Sequence, residues 1–182
     1  MYMEKIQSIA VYCGARAGNN AAYRRVAEEL GRELALRKIR LVYGGGGTGV
    51  MGTLSDSVLD NGGQVTGVIP RFLDSHEIAH AGLTELIRVD SMHIRKQTMF
   101  DRADAFIILP GGIGTLDEFF EIITWKQLKQ HNKPVILVNV SGCWDSINTL
   151  LEDLVKNDFL HSNISEIFSV ADNISDVFSI FD

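Results

Sequence analysis

The run Pro110-Gly111-Gly112-Ile113-Gly114-Thr115-Leu116-Asp117-Glu118 places three glycines, a hydroxyl and two carboxylates within nine residues. Glycines let backbone N–H groups approach an anion, Thr115 can cap a following helix or bond that anion, and the helix then opens on acids. Asp117, Glu118 and Glu121 all suit the positive end of a helix, but dipole compensation accounts for only one or two of them. Glu118 and Glu121 stand three apart and share a face, so both are expected to look toward one cleft. Carboxylates beside an anion site are costly unless they bind hydroxyls or stabilise positive charge developing in a reaction. A ribose offers the hydroxyls and an oxocarbenium-like transition state the charge.

Met92-His93-Ile94-Arg95-Lys96-Gln97-Thr98-Met99 reads as helical, with Met92, Arg95, Lys96 and Met99 close on one face. Its two cations can balance Glu118 and a phosphate. Arg95 offers a planar fork and Lys96 a mobile point charge, although an Arg-Lys pair is also the ordinary composition of a solvated face. His93 reads as structural. His76-Glu77 lies in an irregular stretch after Pro70, where the carboxylate either reaches a ligand or faces solvent.

A further loop, Gly44-Gly45-Gly46-Gly47-Thr48-Gly49-Val50-Met51-Gly52, follows an apolar run and precedes a helical pattern, which is a phosphate-cradling context. The pattern G-x-G-x-x-G matches twice, from Gly44 and from Gly47, so a dinucleotide-binding oxidoreductase competes. A NAD site wants an acid about 20 residues on, at the end of the next strand, where this chain has Ile69-Pro70-Arg71. Arg71 would suit a 2′-phosphate, but the fingerprint lies on the second strand rather than the first. A tight turn needed only for packing is the other alternative for this loop.

The elements that must hold these loops are short β-branched runs at residues 8–12, 40–43, 64–69, 105–109 and 135–140, apolar enough for a sheet covered on both faces. Amphipathic stretches at 21–37, 115–130 and 144–156 alternate with them. Residues 83–89 form a further expected strand, Ser91 an N-cap to a helix reaching about 103, 167–170 an edge strand and 174–181 a last helix, while 70–82 resists assignment. Alternation of β and α predicts an α/β fold: one doubly wound, Rossmann-like parallel sheet flanked by helices, in a single domain over residues 1–182.

Composition agrees. Apolar residues make up 46% and charged residues 22%, the balance of a globular protein rather than a disordered one. A net charge of -6 with scattered basic residues leaves no footprint for nucleic acid, so a small anion would need a local positive site. Cys13 and Cys143 are the only cysteines and have no metal-ligand spacing, so no metal site is expected and a reducing cytoplasm is the simplest compartment. The apolar runs are too short for a signal core or a membrane span.

With these motifs in this order, the chain resembles the LONELY GUY family of cytokinin riboside 5′-monophosphate phosphoribohydrolases along nearly its whole length. The run from Pro110 to Glu118 carries the resemblance, reinforced by Met92-His93-Ile94-Arg95-Lys96 and by Tyr43-Gly44-Gly45-Gly46. The resemblance implies a Rossmann-like fold without a dinucleotide, a homodimer with its site near the subunit interface, and cleavage of a nucleoside monophosphate to free base and ribose 5-phosphate. It places Arg95 and Glu118 on the catalytic positions. Glu77, Lys96, Gly111, Gly112, Ile113, Gly114, Thr115, Leu116, Asp117, Glu121 and Thr124 fall on or beside substrate-contacting ones. Ile113 stands where plant members usually carry an aromatic residue, and Asp117 where glutamate is common. The base therefore stays open among a cytokinin, adenine and another purine. Gly44, Gly45, Gly46, Gly47 and Thr48 are expected to share the phosphate with the second loop, and no cofactor is required. A noncatalytic nucleotide or molybdenum-cofactor carrier of the same fold is the main alternative; Arg95 and Glu118 together favour the enzyme.

Overall fold

The computed structural model describes residues 6–74, 79–160 and 164–181. Its centre is a seven-stranded, all-parallel sheet: β1 (Ser8–Tyr12), β2 (Arg40–Tyr43), β3 (Val65–Pro70), β4 (Glu85–Val89), β5 (Ala105–Ile108), β6 (Val135–Val138) and β7 (Ser169–Ala171), ordered β4-β3-β2-β1-β5-β6-β7. The chain runs outward from β1 to β4, then returns to the other side of β1, where Ile9 pairs with Ala105 and Tyr12 with Ile108. Strand order therefore reverses between β1 and β5. Beyond the carboxyl ends of two such strands the loops splay apart and leave a crevice.

Side chains alternate across each strand, so β1 sends Ile9 and Val11 into one core layer and Ala10 and Tyr12 into the other. The first layer is closed by α1 (Ala21–Leu36), α2 (Gly49–Asp60) and α7 (Ile174–Phe181), through Leu30, Leu34, Leu54 and Val177 among others. The second is closed by α3 (Met92–Asp101), α4 (Ile113–Gln127) and α5 (Asp145–Lys156), through Met99, Phe119, Ile122 and Leu151. Burial of both faces explains why the strands read as unbroken apolar runs rather than alternating ones.

Element ends moved where a side chain or a turn took over the backbone. The strand expected from residue 83 starts at Glu85, because the Val65 N–H is taken by the Thr84 hydroxyl at 3.0 Å. The strand expected to reach 140 stops at Val138: Asn139 N–H makes the last bond to β7, at the Ala171 carbonyl, and Val140–Gly142 then forms a tight turn with Ser141 at φ 55°. The edge strand expected from 167 begins at Ser169, after a single helical turn, α6 (Ile164–Ile167), whose Ile164 carbonyl accepts from the Phe168 N–H. Within the unassigned stretch after β3, Arg71–Leu73 makes one 3-10 turn and Ala79 pairs with Gly46 in an isolated antiparallel bridge. Among the described residues, no helix is long and apolar enough to cross a membrane.

Candidate active site

After β5 the chain passes through buried Leu109 and Pro110, and α4 then starts at Ile113 with Gly112 as its N-cap. Thr115 therefore does not cap the helix, as its sequence position suggests; it lies inside the first turn, 3% exposed. The glycine cap has no side chain to bond the first-turn amides, so this helix end remains available to an anion.

Glu118 follows one turn later on the same inward face and is 5% exposed. Arg95 reaches it from α3, itself 7% exposed, with Nη2 3.7 Å from Glu118 Oε1. Arg95 Nη1 also faces the Met92 sulfur at 3.7 Å, while its Nε has no partner. Room for the guanidinium comes from Gly44, where any Cβ would collide with Arg95 Nη2. Burial dominates the Glu118 carboxyl and raises it from 4.5 to about 7, although neighbouring Arg95 pulls the other way. Beneath the pair, burial first and the Glu118 charge second push the Tyr12 phenol and Cys13 thiol up, so both stay neutral.

This pair opens on a cavity of about 550 Å³ beyond the ends of β1 and β5, a size suited to a small ligand. Among the described residues its lining holds one acid, Glu118, and two cations, Arg95 and Arg16. The rest is largely apolar and includes Tyr23, Val50, Met51, Met92 and Trp144. Among the described residues, two buried side-chain nitrogens lack a partner, Arg95 Nε and Trp144 Nε1, and both belong to residues lining this cavity. Buried donors of that kind ordinarily meet water or ligand. A second cavity of about 570 Å³, at the amino ends of β1, β2 and β3, is lined by Arg37, Lys38, Arg40 and Arg102 and, among the described residues, by no acid or nucleophilic cysteine. The described residues contain no group of three or more His, Cys, Asp or Glu side chains arranged to hold a metal.

The remaining site residues divide by placement. Gly111, Gly112, Gly114 and Thr115 line the cavity with Arg95 and Glu118. Lys96 points elsewhere: its Nζ lies 3.1 Å from both Asp117 Oδ2 and Glu121 Oε1, tying α3 to α4 outside the cavity lining. Burial alone would lower the Lys96 ammonium, but the hydrogen bonds to Glu121 and Asp117 outweigh it and raise it. Leu116 packs against the second core layer, Ile113 is 86% exposed, and the exposed Thr124 bonds its own helix through the Phe120 carbonyl. Glu77 lies outside the described residues.

None of Gly44, Gly45, Gly46, Gly47 and Thr48 lines the cavity. Gly44 makes space for Arg95, the Gly45 carbonyl accepts from His80 N–H, and Thr48 donates its hydroxyl to the Ala15 carbonyl. Sequence reasoning missed the loop after β1, Gly14 to Gly18, together with Tyr23, Cys143 and Trp144, all of which line the cavity. Two glycines flanking Ala15-Arg16-Ala17 directly after the first strand were the available signal.

A family model described as "possible lysine decarboxylase" matches residues 51–181. The chain is 47% identical over 155 residues to the cytokinin riboside 5′-monophosphate phosphoribohydrolase of Rhodococcoides fascians, covering 85% of this chain and 78% of that one. It is 44% identical over 169 residues to the enzyme of that name, LOG2, of Arabidopsis thaliana, covering 93% and 79%. Among solved structures, the molybdenum cofactor binding protein of Rippkaea orientalis superimposes with a TM-score of 0.71 over 98% of this chain and 99% of that one. Its sequence identity is 21%, so that likeness establishes the fold alone.

Proposed function

Because the chain belongs to the LONELY GUY family of cytokinin riboside 5′-monophosphate phosphoribohydrolases, we propose that it is an N-glycosidase acting on a purine nucleoside 5′-monophosphate. Water adds at the ribosyl C1′, the glycosidic bond breaks, and the products are the free base and ribose 5-phosphate. The carrying observation is the buried Glu118–Arg95 pair, 3.7 Å apart, at the open amino end of α4.

The phosphate sits at that helix end, where backbone donors and the dipole favour a dianion. From this anchor the ribose extends past Glu118. The carboxylate stabilises the positive charge that builds on the sugar or takes the proton of the attacking water. Its raised pKa, about 7, suits proton transfer near neutrality. Arg95 orients the substrate or assists departure of the base, and it keeps a share of Glu118 ionised. The apolar wall containing Met51, Met92 and Trp144 accepts the base, a cytokinin, adenine or another purine. Among the described residues no lysine lines the cavity, so the words "lysine decarboxylase" find no Schiff-base candidate there.

We further propose that the protein acts as a homodimer with its site near the interface. Ile94, beside Arg95, and Ile113, at the start of α4, are 48% and 86% exposed and suit apolar contact with a second subunit.

Incubation with AMP tests the reading: adenine and ribose 5-phosphate should appear together, and adenosine and ATP should turn over far more slowly. Enzyme that binds AMP for hours and returns it intact would replace catalysis with carriage. Adenosine cleaved as efficiently as AMP would leave a plain nucleosidase. A panel of nucleoside monophosphates, resolved by chromatography, then identifies the preferred base.

A further inference from the structure

The loop between β1 and α1 carries one of the two cations that line the cavity among the described residues. The other, Arg95, is buried against Glu118. Arg16 is exposed and makes no ion pair or hydrogen bond with any described residue.

The backbone leading to Arg16 is held from both sides. Gly14 N–H donates to the Pro110 carbonyl at 3.0 Å, joining this loop to the glycine loop before α4. From the other side, Met51 N–H donates to the Gly14 carbonyl at 3.1 Å and the Thr48 hydroxyl to the Ala15 carbonyl at 3.1 Å. Gly49, at φ +64°, lies so close to the Ala15 carbonyl that a Cβ would collide with it. The clamp ends at Ala15, so the next residue begins from a fixed point at the rim of the cavity while its side chain stays unengaged.

An anion at the amino end of α4 lies one helical turn from Glu118, whose charge repels it. The Arg95 charge is shared with Glu118, 3.7 Å away, so a dianion beside that carboxylate calls for a further cation. We propose that Arg16 is that cation: it binds the 5′-phosphate of substrate and product and sets the demand for a phosphorylated ribose. A guanidinium suits a phosphate because its fork makes paired, charge-assisted hydrogen bonds. Thr48 and Gly49 then act as positioning residues, which gives the first glycine loop a task other than cradling phosphate. The identity of the anion rests on the phosphoribohydrolase reading; the placement of Arg16 does not.

Calorimetric titration of ribose 5-phosphate into the wild type, Arg16→Ala and Arg16→Lys tests this. Loss of the guanidinium should weaken binding about ten- to a hundredfold, the usual worth of charge-assisted hydrogen bonds. Lysine should restore part of it, and the gap between wild type and Arg16→Ala should narrow as salt is raised. With AMP, KM should rise by more than kcat falls. Thr48→Val, which keeps the shape and removes the hydroxyl, should weaken ribose 5-phosphate binding in the same direction by a smaller factor. Arg16→Ala binding ribose 5-phosphate as tightly as the wild type would overturn the proposal, as would a wild type that does not bind it. Arg16-dependent binding without AMP cleavage would keep Arg16 as the phosphate cation and remove the hydrolase reading instead.

Discussion

Glu118→Gln should make the protein inactive and, above neutral pH, more stable than the wild type relative to their difference in acid. The carboxyl is held at about 7 in the folded chain, against 4.5 ordinarily, chiefly by burial. Between those two values the folded state keeps a proton that the unfolded state has released, so wild-type stability falls as pH rises from 4.5 through 7 and levels off beyond. At about 1.4 kcal/mol for each tenfold change in proton affinity, the full loss is about 3 kcal/mol. Glutamine resembles the protonated acid in shape and cannot ionise, so the variant lacks this slope. Leaving Arg95 opposite an amide adds a cost that does not depend on pH; the other titrating groups are common to both proteins. Thermal unfolding of both proteins from pH 4.5 to 8.5, at one protein concentration, reads the difference. For a chain of this size the gap in Tm should change by roughly 6–12 °C across the range. Parallel curves would refute the reasoning, because they would mean that Glu118 ionises as readily in the fold as in the unfolded chain. Turnover of AMP by the variant should fall by about a hundredfold or more, as for loss of a group that acts on the transition state.

Further expectations concern the same site and the subunit interface. The pH dependence of kcat/KM for AMP should rise on the acid side and level off above about 7, following ionisation of Glu118 in the free enzyme; a flat profile from pH 5 to 8 would contradict the role of its carboxylate. Arg95→Ala should reduce turnover and move that midpoint upward, because Arg95 lowers the Glu118 value; an unmoved midpoint would mean that the two groups are not coupled. Arg95→Lys should recover the midpoint better than the rate, since an ammonium supplies charge without the planar fork. Sedimentation should give a dimer at micromolar concentration, and a monomer would remove the interface from the site.

The strands, most of their helices and the parallel, doubly wound class were legible because burial on two faces writes itself into sequence as continuous apolar runs alternating with amphipathic ones. Arg95 and Lys96 show where that legibility ends. Adjacent on one helix, they point about 100° apart. That rotation sends Arg95 inward to Glu118 and Lys96 outward to Asp117 and Glu121. Three residues of helix leave Glu118 and Glu121 about 60° apart, on one broad face, yet only Glu118 lines the cavity among the described residues. The position of the first glycine loop between strand and helix suggests a phosphate cradle; the bond from its Met51 N–H to the Gly14 carbonyl depends on a neighbouring loop distant in sequence.

An arginine, a glutamate and a glycine turn are individually ordinary, and their chemistry here comes from what the sheet places under them. Tyr12 and Cys13, at the end of β1, put a neutral, buried floor beneath Glu118, and that loss of water is the largest influence on its carboxyl. Desolvation alone would leave a protonated acid with little use for a positive sugar. Arg95 supplies the opposing pull, and it fits only because Gly44 has no side chain in its way. Gly44 thus acts on the chemistry from outside the cavity. Gly44→Ala would therefore displace the guanidinium rather than open a hole. Its expected signature is that of a weakened Arg95: lower turnover and a pH midpoint shifted upward. Loss of activity with an unshifted midpoint would instead mark Gly44 as a packing residue of the turn.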